Sequence, residues 1–404
     1  MAREHTANID GGDGAALPED PGLACDALVS GRIDRFLAAR RPPTPCLVVD
    51  LEIVAARYRA LRALLPDATI FYAVKANPSA AVIATLAALG ASFDLASEGE
   101  MRRCRELGIG AERLSFGNTI KRAAEIGKAR GEGVDLFAFD SGAELEKIAR
   151  CAPGAGVFCR LLVQGRGAQW PLSRKFGCVP EMAVDLLQRA KGLGLRPLGV
   201  SFHVGSQQTE PLRWRSAIAS AARVFHGSAR FGLDLDLLNV GGGFPAQYRV
   251  AIPPLAAYAE AIARGLADYF SGSPPRLIVE PGRYLVGDAG ILRSTVLLVS
   301  RKSRHAHRRW VYLDAGRYNG LAETLGERIH YAIRTSRAGS PSESAILAGP
   351  TCDSADVIYN RADYRLPVDL AIGDTVDFLS AGAYTASYAS VEFNGFTPIQ
   401  SYWV

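Results

Sequence analysis

The sequence predicts an α/β chain, a (β/α)8 TIM-like barrel followed by a second, mainly β domain. Three observations predict it. Between about residues 53 and 285, eight short apolar runs alternate with amphipathic stretches, and the region has the length of roughly 250 residues typical of such barrels. After Val286 the texture changes to strand-like runs joined by Gly-, Pro- and Ser-rich turns. Polar motifs collect at the C-terminal ends of the barrel runs, the face on which this architecture builds its sites.

Each element has a local signal. Residues 1–41 read as an N-terminal extension, partly disordered. Met1 to Asp20 carry Gly, Asp, Pro and Glu without the apolar segment of a signal peptide. In residues 42–52, Pro45-Cys46-Leu47-Val48-Val49 is an apolar run able to pair into the β domain as its first strand. Asp50 is the N-cap of a helix that carries Val54, Tyr58, Leu61 and Leu65 along one face. The barrel, residues 53–285, then takes strands from Ile70-Phe71-Tyr72-Ala73-Val74-Lys75, Ser92 to Leu95, Leu114 to Phe116 and Leu136 to Phe139. Val157 to Val163, Gly199 to His203, Leu237 to Val240 and Leu277 to Glu280 complete it. The C-terminal β domain, residues 286–404, has strands at Leu292 to Val299, Trp310 to Leu313, Ala345 to Leu347 and Thr375 to Leu379. A helical piece is expected near Leu321 to Ile329.

Composition excludes several classes. The chain has 404 residues, 48% hydrophobic and 22% charged, with a net charge of +5. That charge is too small and too dispersed to argue for nucleic acid. The basic cluster from Arg301 to Arg309 reads as a solvated hairpin, with phosphate binding as the minor alternative. The seven cysteines form no CxxC pair, as suits free thiols in a reducing cytoplasm, and no metal site is expected. No apolar run approaches the length of a membrane span.

Lys75 is the most informative residue. An isolated strand-end lysine usually snorkels to water. One held at the inner end of a strand loses solvation, which lowers its pKa and favours the neutral amine that forms Schiff bases with carbonyls. Its company favours the second reading. Asp94 ends the next strand. His203, within Ser201-Phe202-His203-Val204-Gly205-Ser206, is placed to stack on a flat ring, although a lone histidine is more often a core residue. Gly241-Gly242-Gly243 leaves backbone N–H groups open to a phosphate, which Ser206 and Arg283 would also reach, whereas alone it reads as a tight turn. Glu280 is a carboxylate able to keep a ring nitrogen protonated, or simply a strand-end acid facing water. In the second domain, Gly349-Pro350-Thr351-Cys352-Asp353-Ser354-Ala355-Asp356 sets a thiol beside an acid, which is a turn or a proton donor beside an ammonium ligand.

In order, Ala73-Val74-Lys75-Ala76-Asn77, Phe93-Asp94-Leu95-Ala96-Ser97, the Ser201 to Ser206 segment and Asn239 to Pro245 carry the first half of a pattern. Glu280 to Tyr284, Gly349 to Asp356, Gly382-Ala383-Tyr384-Thr385 and Phe393-Asn394-Gly395-Phe396 carry the second. The set resembles the fold-type III pyridoxal 5'-phosphate (PLP) decarboxylases from about residue 42 onward, and within them most resembles the ornithine decarboxylases. The resemblance implies PLP joined to Lys75, with Asp94 near that end of the cofactor, His203 on the ring and Glu280 at the pyridine nitrogen. It implies Ser206, Gly242, Gly243, Arg283 and Tyr384 around the phosphate. Asp314 and Asp353 would meet the distal ammonium of the substrate, and Cys352 would protonate the product. The reaction implied is L-ornithine to putrescine and CO2, in polyamine biosynthesis, by a cytoplasmic homodimer whose Cys352 loop crosses to the partner.

Two places depart from the family pattern. Pro171 stands where some members carry an arginine, with Arg174 a candidate substitute, and Glu392 precedes Phe393 where a small residue is usual. Lysine, diaminopimelate or a specialised amino acid are alternative substrates, although diaminopimelate decarboxylases typically show Cys-Glu-Ser where this chain has Cys352-Asp353-Ser354. Alanine racemase shares the barrel and the lysine but not the Cys352 loop. An inactive regulatory homologue would have lost cofactor groups that are present here.

Overall fold

The computed structural model describes residues 30–170, 175–337 and 339–404. The expectations for Met1 to Asp20, Pro171 and Arg174 lie outside the described residues. Eight parallel strands close into a barrel: β2 (Ala68–Ala73), β3 (Ser92–Leu95), β4 (Leu114–Phe116), β5 (Leu136–Phe139), β6 (Gly156–Arg160), β8 (Arg196–Ser201), β10 (Leu237–Asn239) and β11 (Arg276–Val279). They follow β1 (Cys46–Val49), and two short strands, β7 (Ala168–Trp170) and β9 (Ser206–Gln208), intervene. The barrel strands are near-continuously apolar because helices cover them outside and side chains fill them inside. Phe71, Ala138, Phe158, Leu237 and Ile278 form one interior layer.

The connecting helices start where the sequence supplies caps. Ser79, Ser97 and Ser141 each accept from the backbone N–H three residues on, and Asp50 accepts from Glu52 N–H. The three serine caps lie just beyond β2, β3 and β5, so they also fix loops of the barrel mouth.

Two boundaries differ from the sequence reading. Strand β2 stops at Ala73, and Lys75 sits in a 3-10 turn, Val74–Ala76, that lifts it off the strand into the mouth. The strand expected to reach Val163 stops at Arg160, and the chain goes on to the β7–β9 pair, with Ala168 opposite Gln208 and Trp170 opposite Ser206. A period-two pattern cannot show such ends, because the apolar run continues through Val74 although the strand stops at Ala73.

The second domain is an eight-stranded sheet. Its strands are β12 (Gly290–Ser300), β13 (Arg309–Leu313), β14 (Ile333–Thr335), β15 (Ser342–Ala348), β16 (Val357–Pro367), β17 (Thr375–Phe378) and β18 (Gln400–Trp403), together with β1. The main path runs β14-β17-β12-β13-β15-β16, while β1 lies antiparallel to β12 and parallel to β18. The chain therefore enters the sheet, leaves to build the barrel and returns. Leu51 N–H donates to the Val404 carbonyl and Val404 N–H to Val49, which ties the C-terminus to the start of the barrel.

The last part of the N-terminal extension is a helix, Gly31–Arg40, capped by Ser30. Its Ile33 and Leu37 pack on Cys46, Val48, Ile291 and Leu379, each contributing roughly 1.5–3 kcal/mol by burial. Arg334 holds it further by a paired contact to Asp34 at 3.1 and 2.7 Å. The helical piece expected near Leu321 is a 3-10 segment, Ala322–Glu327, broken at Leu325 and Gly326.

Candidate active site

The 3-10 turn after β2 places the Lys75 Nζ 3.3 Å from Asp94 Oδ2 on β3. The turn is held by the second domain. Tyr384 N–H donates to the Ala76 carbonyl, Asn77 Nδ2 to the Gly382 carbonyl, and Ser387 Oγ to the Lys75 carbonyl. A cleft of about 710 Å³ opens here, lined by Lys75, Ser97, Glu100, Arg103, Ser387 and Trp403.

The expectation that burial lowers the Lys75 pKa is corrected. Burial is the largest single influence and does pull it down, but Asp94, Tyr384, Glu280 and Glu100 together raise it above the ordinary lysine value. Lys75 is an ammonium in this arrangement. Its activation must come from whatever takes up its charge or its proton.

Beside it, Asp94 Oδ1 is buried without a hydrogen-bond partner. Glu280, one residue past β11, accepts from Asn239 Nδ2, and its pKa is raised to about 7 by burial and by Asp94, against Lys75, Asn239 and Arg160. His203 accepts from Gly205 N–H through Nδ1 at 3.0 Å. Burial, then Arg160 and Lys75, holds its pKa well below the usual value, so the imidazole is neutral at pH 7.

The glycine turn after β10 is a cradle that side chains would fill. A Cβ on Gly242 would lie 2.4 Å from the Glu280 carbonyl and 3.2 Å from His203 Nε2. At Gly243, with φ +107°, one would lie 2.5 Å from the Gly205 carbonyl. Next to this turn Arg283 donates to Ser206 Oγ at 3.1 and 3.3 Å, and its guanidinium lies 4.9 Å from the Tyr384 ring centroid. Open backbone N–H groups, a hydroxyl, a cation and a phenol form one anion cup. A flat phosphorylated aldehyde fits these residues. The Lys75 amine matches its carbonyl, the orphaned Asp94 oxygen and Glu280 match ring donors, and the cup matches the phosphate.

Two expectations for the second domain fare differently. Asp353 lies on the same loop as Cys352, where its Oδ1 accepts from Ala355 N–H at 2.8 Å. Cys352 is exposed, and its N–H donates to Asn394 Oδ1. Asp356 shapes this loop, accepting from Thr351 N–H and Oγ1 and from Arg317 N–H. Asp314, in contrast, turns into the sheet, where its Oδ1 accepts from Ser294 Oγ at 2.6 Å and Thr295 N–H at 2.9 Å. Within one chain its carboxylate does not pair with Asp353, whose loop the family resemblance assigns to the partner's site. Among the described residues, no hydrogen bond or ion pair links the Cys352 loop of one chain to Lys75, Glu280 or Arg283.

Sequence reasoning gave no role to Asn239, Arg160, Glu323 and Tyr248. The first two are the last residues of β10 and β6, so the strand-end rule that found the others would have reached them. Glu323 and Tyr248, which hold Arg283, carry no local signal.

The model of the pyridoxal-dependent decarboxylase pyridoxal-binding domain matches residues 51–287. The chain belongs to the pyridoxal-dependent decarboxylases. It is 37% identical to the lysine/ornithine decarboxylase of Selenomonas ruminantium over 359 residues, covering 89% of each chain. It is 36% identical to the ornithine decarboxylase of Mus musculus over 375 residues, covering 88% of this chain and 80% of that one. The solved structure of the Vibrio vulnificus lysine/ornithine decarboxylase complexed with cadaverine superposes with a TM-score of 0.82 at 33% identity, over 92% of this chain and 97% of that one. This decarboxylase is thus a fold-type III enzyme that uses PLP to remove the carboxylate of a basic amino acid. No helix among its described residues is long and apolar enough to cross a membrane.

Proposed function

We propose that this decarboxylase converts L-ornithine to putrescine and CO2, in the cytoplasm and in service of polyamine synthesis, as a homodimer with shared sites. The observation that carries the substrate choice is Asp353, a short acid beside the thiol of Cys352 on an ordered loop. An aspartate there suits a simple terminal ammonium, whereas a second amino-acid head would need a partner for its carboxylate as well.

Bound PLP supplies the electron sink into which the bond to the leaving carboxylate drains. Lys75 would hold the cofactor's aldehyde end until the substrate α-amine takes its place. Asp94 steadies the Lys75 ammonium before that exchange. Glu280, with a proton affinity near neutrality, would share a proton with the ring nitrogen and so keep the ring electron-poor. His203, neutral, presents a flat face without adding charge. Gly242, Gly243, Ser206, Arg283 and Tyr384 grip the phosphate. Cys352 returns a proton to the α-carbon, and Asp353 fixes the distal ammonium.

The dimer is supported by the lack of any hydrogen bond or ion pair between the Cys352 loop and Lys75 among the described residues of one chain, and by the apolar surface near that loop. Leu325 and Tyr388 are 56% and 47% exposed around a cavity of about 240 Å³ lined also by Arg317, Tyr318 and Ala355. A second copy covering that surface would bring its own barrel mouth to Cys352. Six described cysteines are free, which supports a reducing compartment.

A second reading, lysine to cadaverine, is favoured by the name of the Selenomonas relative and by the cadaverine in the Vibrio structure. Release of CO2 from ornithine, lysine, arginine and diaminopimelate by the PLP-loaded enzyme decides between them. Ornithine is expected to give the highest kcat/KM, and a higher value for lysine would transfer the assignment.

A further inference from the structure

Arg283 already carries a counter-charge. Its Nη1 donates to Glu323 Oε2 and to the Tyr248 hydroxyl, both at 2.6 Å, and its Nη2 donates to Glu323 Oε1 at 2.5 Å. The other edge of the guanidinium, Nε and Nη2, faces Ser206 Oγ. The two side chains are only 3% and 6% exposed. Glu323 belongs to the 3-10 segment of the second domain, while Arg283 opens the short helix, Arg283–Val286, that comes after the last barrel strand. The pair therefore joins the two domains directly behind the phosphate cup. A guanidinium buried here alone would be strongly destabilising, because no water could solvate it. A phosphate arriving at the Ser206 edge places a second anion on the same cation, and the two anions repel through a poorly screened interior.

We infer that Glu323 is the resident counter-ion of the phosphate-cup arginine, a positioning residue that keeps Arg283 charge-balanced and turned toward Ser206, and that holds the cup's grip on phosphate below that of Arg283 alone. The inference rests on the reading that Arg283 holds the cofactor phosphate. It sets Glu323 apart from a merely structural acid. Loss of a structural residue loosens the site for every ligand, whereas loss of a counter-ion tightens it for anions only.

The test titrates the apoenzyme with PLP, with pyridoxal, which lacks the phosphate, and with inorganic phosphate as competitor, following fluorescence and absorbance. Glu323→Gln is expected to bind PLP about tenfold or more tightly and to respond to lower inorganic phosphate, with pyridoxal affinity unchanged. Unchanged or weaker PLP binding in that variant overturns the inference. Arg283→Gln is expected to weaken PLP binding while sparing pyridoxal. If it leaves PLP binding intact, the phosphate role of Arg283 falls and takes the inference with it, whereas a loss there without a gain in Glu323→Gln removes the inference alone. Should Glu323→Gln fail to fold, the double variant with Arg283→Gln should fold, because both buried charges leave together. A double variant as unstable as the single one counts against a counter-ion.

Discussion

The Lys75 ammonium lies 3.3 Å from the Asp94 carboxylate, the largest of the influences that, with Tyr384, Glu280 and Glu100, outweigh the lowering by burial. The lysine is therefore charged and poised before its carbonyl partner arrives, and Asp94 is the group that must accommodate the change when it does.

Replacing Asp94 by Asn should lower the Lys75 pKa by about 1–3 units, the usual effect of an opposite charge at this range. Trapping of pyridoxal on the apoenzyme by borohydride, followed against pH, reports the neutral amine directly. The midpoint should move down in Asp94→Asn, and Lys75→Ala should trap nothing at the site. Adduct found on another lysine in the wild type would remove Lys75 from its role.

Glu280 links the site to stability. Its pKa rises from 4.5 to about 7 on folding, so the folded state binds the proton more tightly than the unfolded chain. Stability of the apoenzyme then falls as pH rises through that window, by about 3 kcal/mol in full. Glu280→Gln should be more stable than wild type at pH 8 and gain little at pH 4.5 in urea unfolding. The same variant should bind PLP yet turn over about 100-fold or more slowly, since an amide cannot hold the pyridinium proton. An equal gain at both pH values would show that Glu280 does not titrate there.

Shared sites predict complementation. Lys75→Ala and Cys352→Ala proteins, each inactive, should regain partial activity on mixing, because hybrid dimers contain one site with both groups intact. Absence of recovery despite verified subunit exchange would confine each site to one chain.

Asp353 should read the distal ammonium. A charge-assisted hydrogen bond is worth roughly 1.5–3 kcal/mol, so Asp353→Ala should raise KM for ornithine about tenfold or more. A monoamine analogue without the distal charge should be affected little. Equal losses on both substrates would assign Asp353 to the shape of the Cys352 loop.

The barrel was legible because its signal is local. Eight apolar runs of strand length, each closed by a cap or a turn, survive in one dimension, and the face at their C-terminal ends is set by the architecture. Lys75, Asp94, His203, Glu280 and the glycine turn were found on that rule. Strands β14, β16 and β18 were not: Ile333–Thr335, Val357–Pro367 and Gln400–Trp403 are mixed runs that become strands by pairing with β17, β15 and β1.

By itself the sequence determined which residue types stand at the ends of the barrel strands, and therefore the class of chemistry. Only the tertiary structure decided their charge states and partners. Lys75 and Asp94 are 19 positions apart and Arg283 and Glu323 are 40, yet each pair is in contact. Likewise the hydrogen bonds from Ser294 Oγ and Thr295 N–H to the Asp314 carboxylate appear only in the folded sheet. Electrostatic energy depends on distance and on exclusion of water, and both are set by the folded arrangement of segments that the chain order keeps apart.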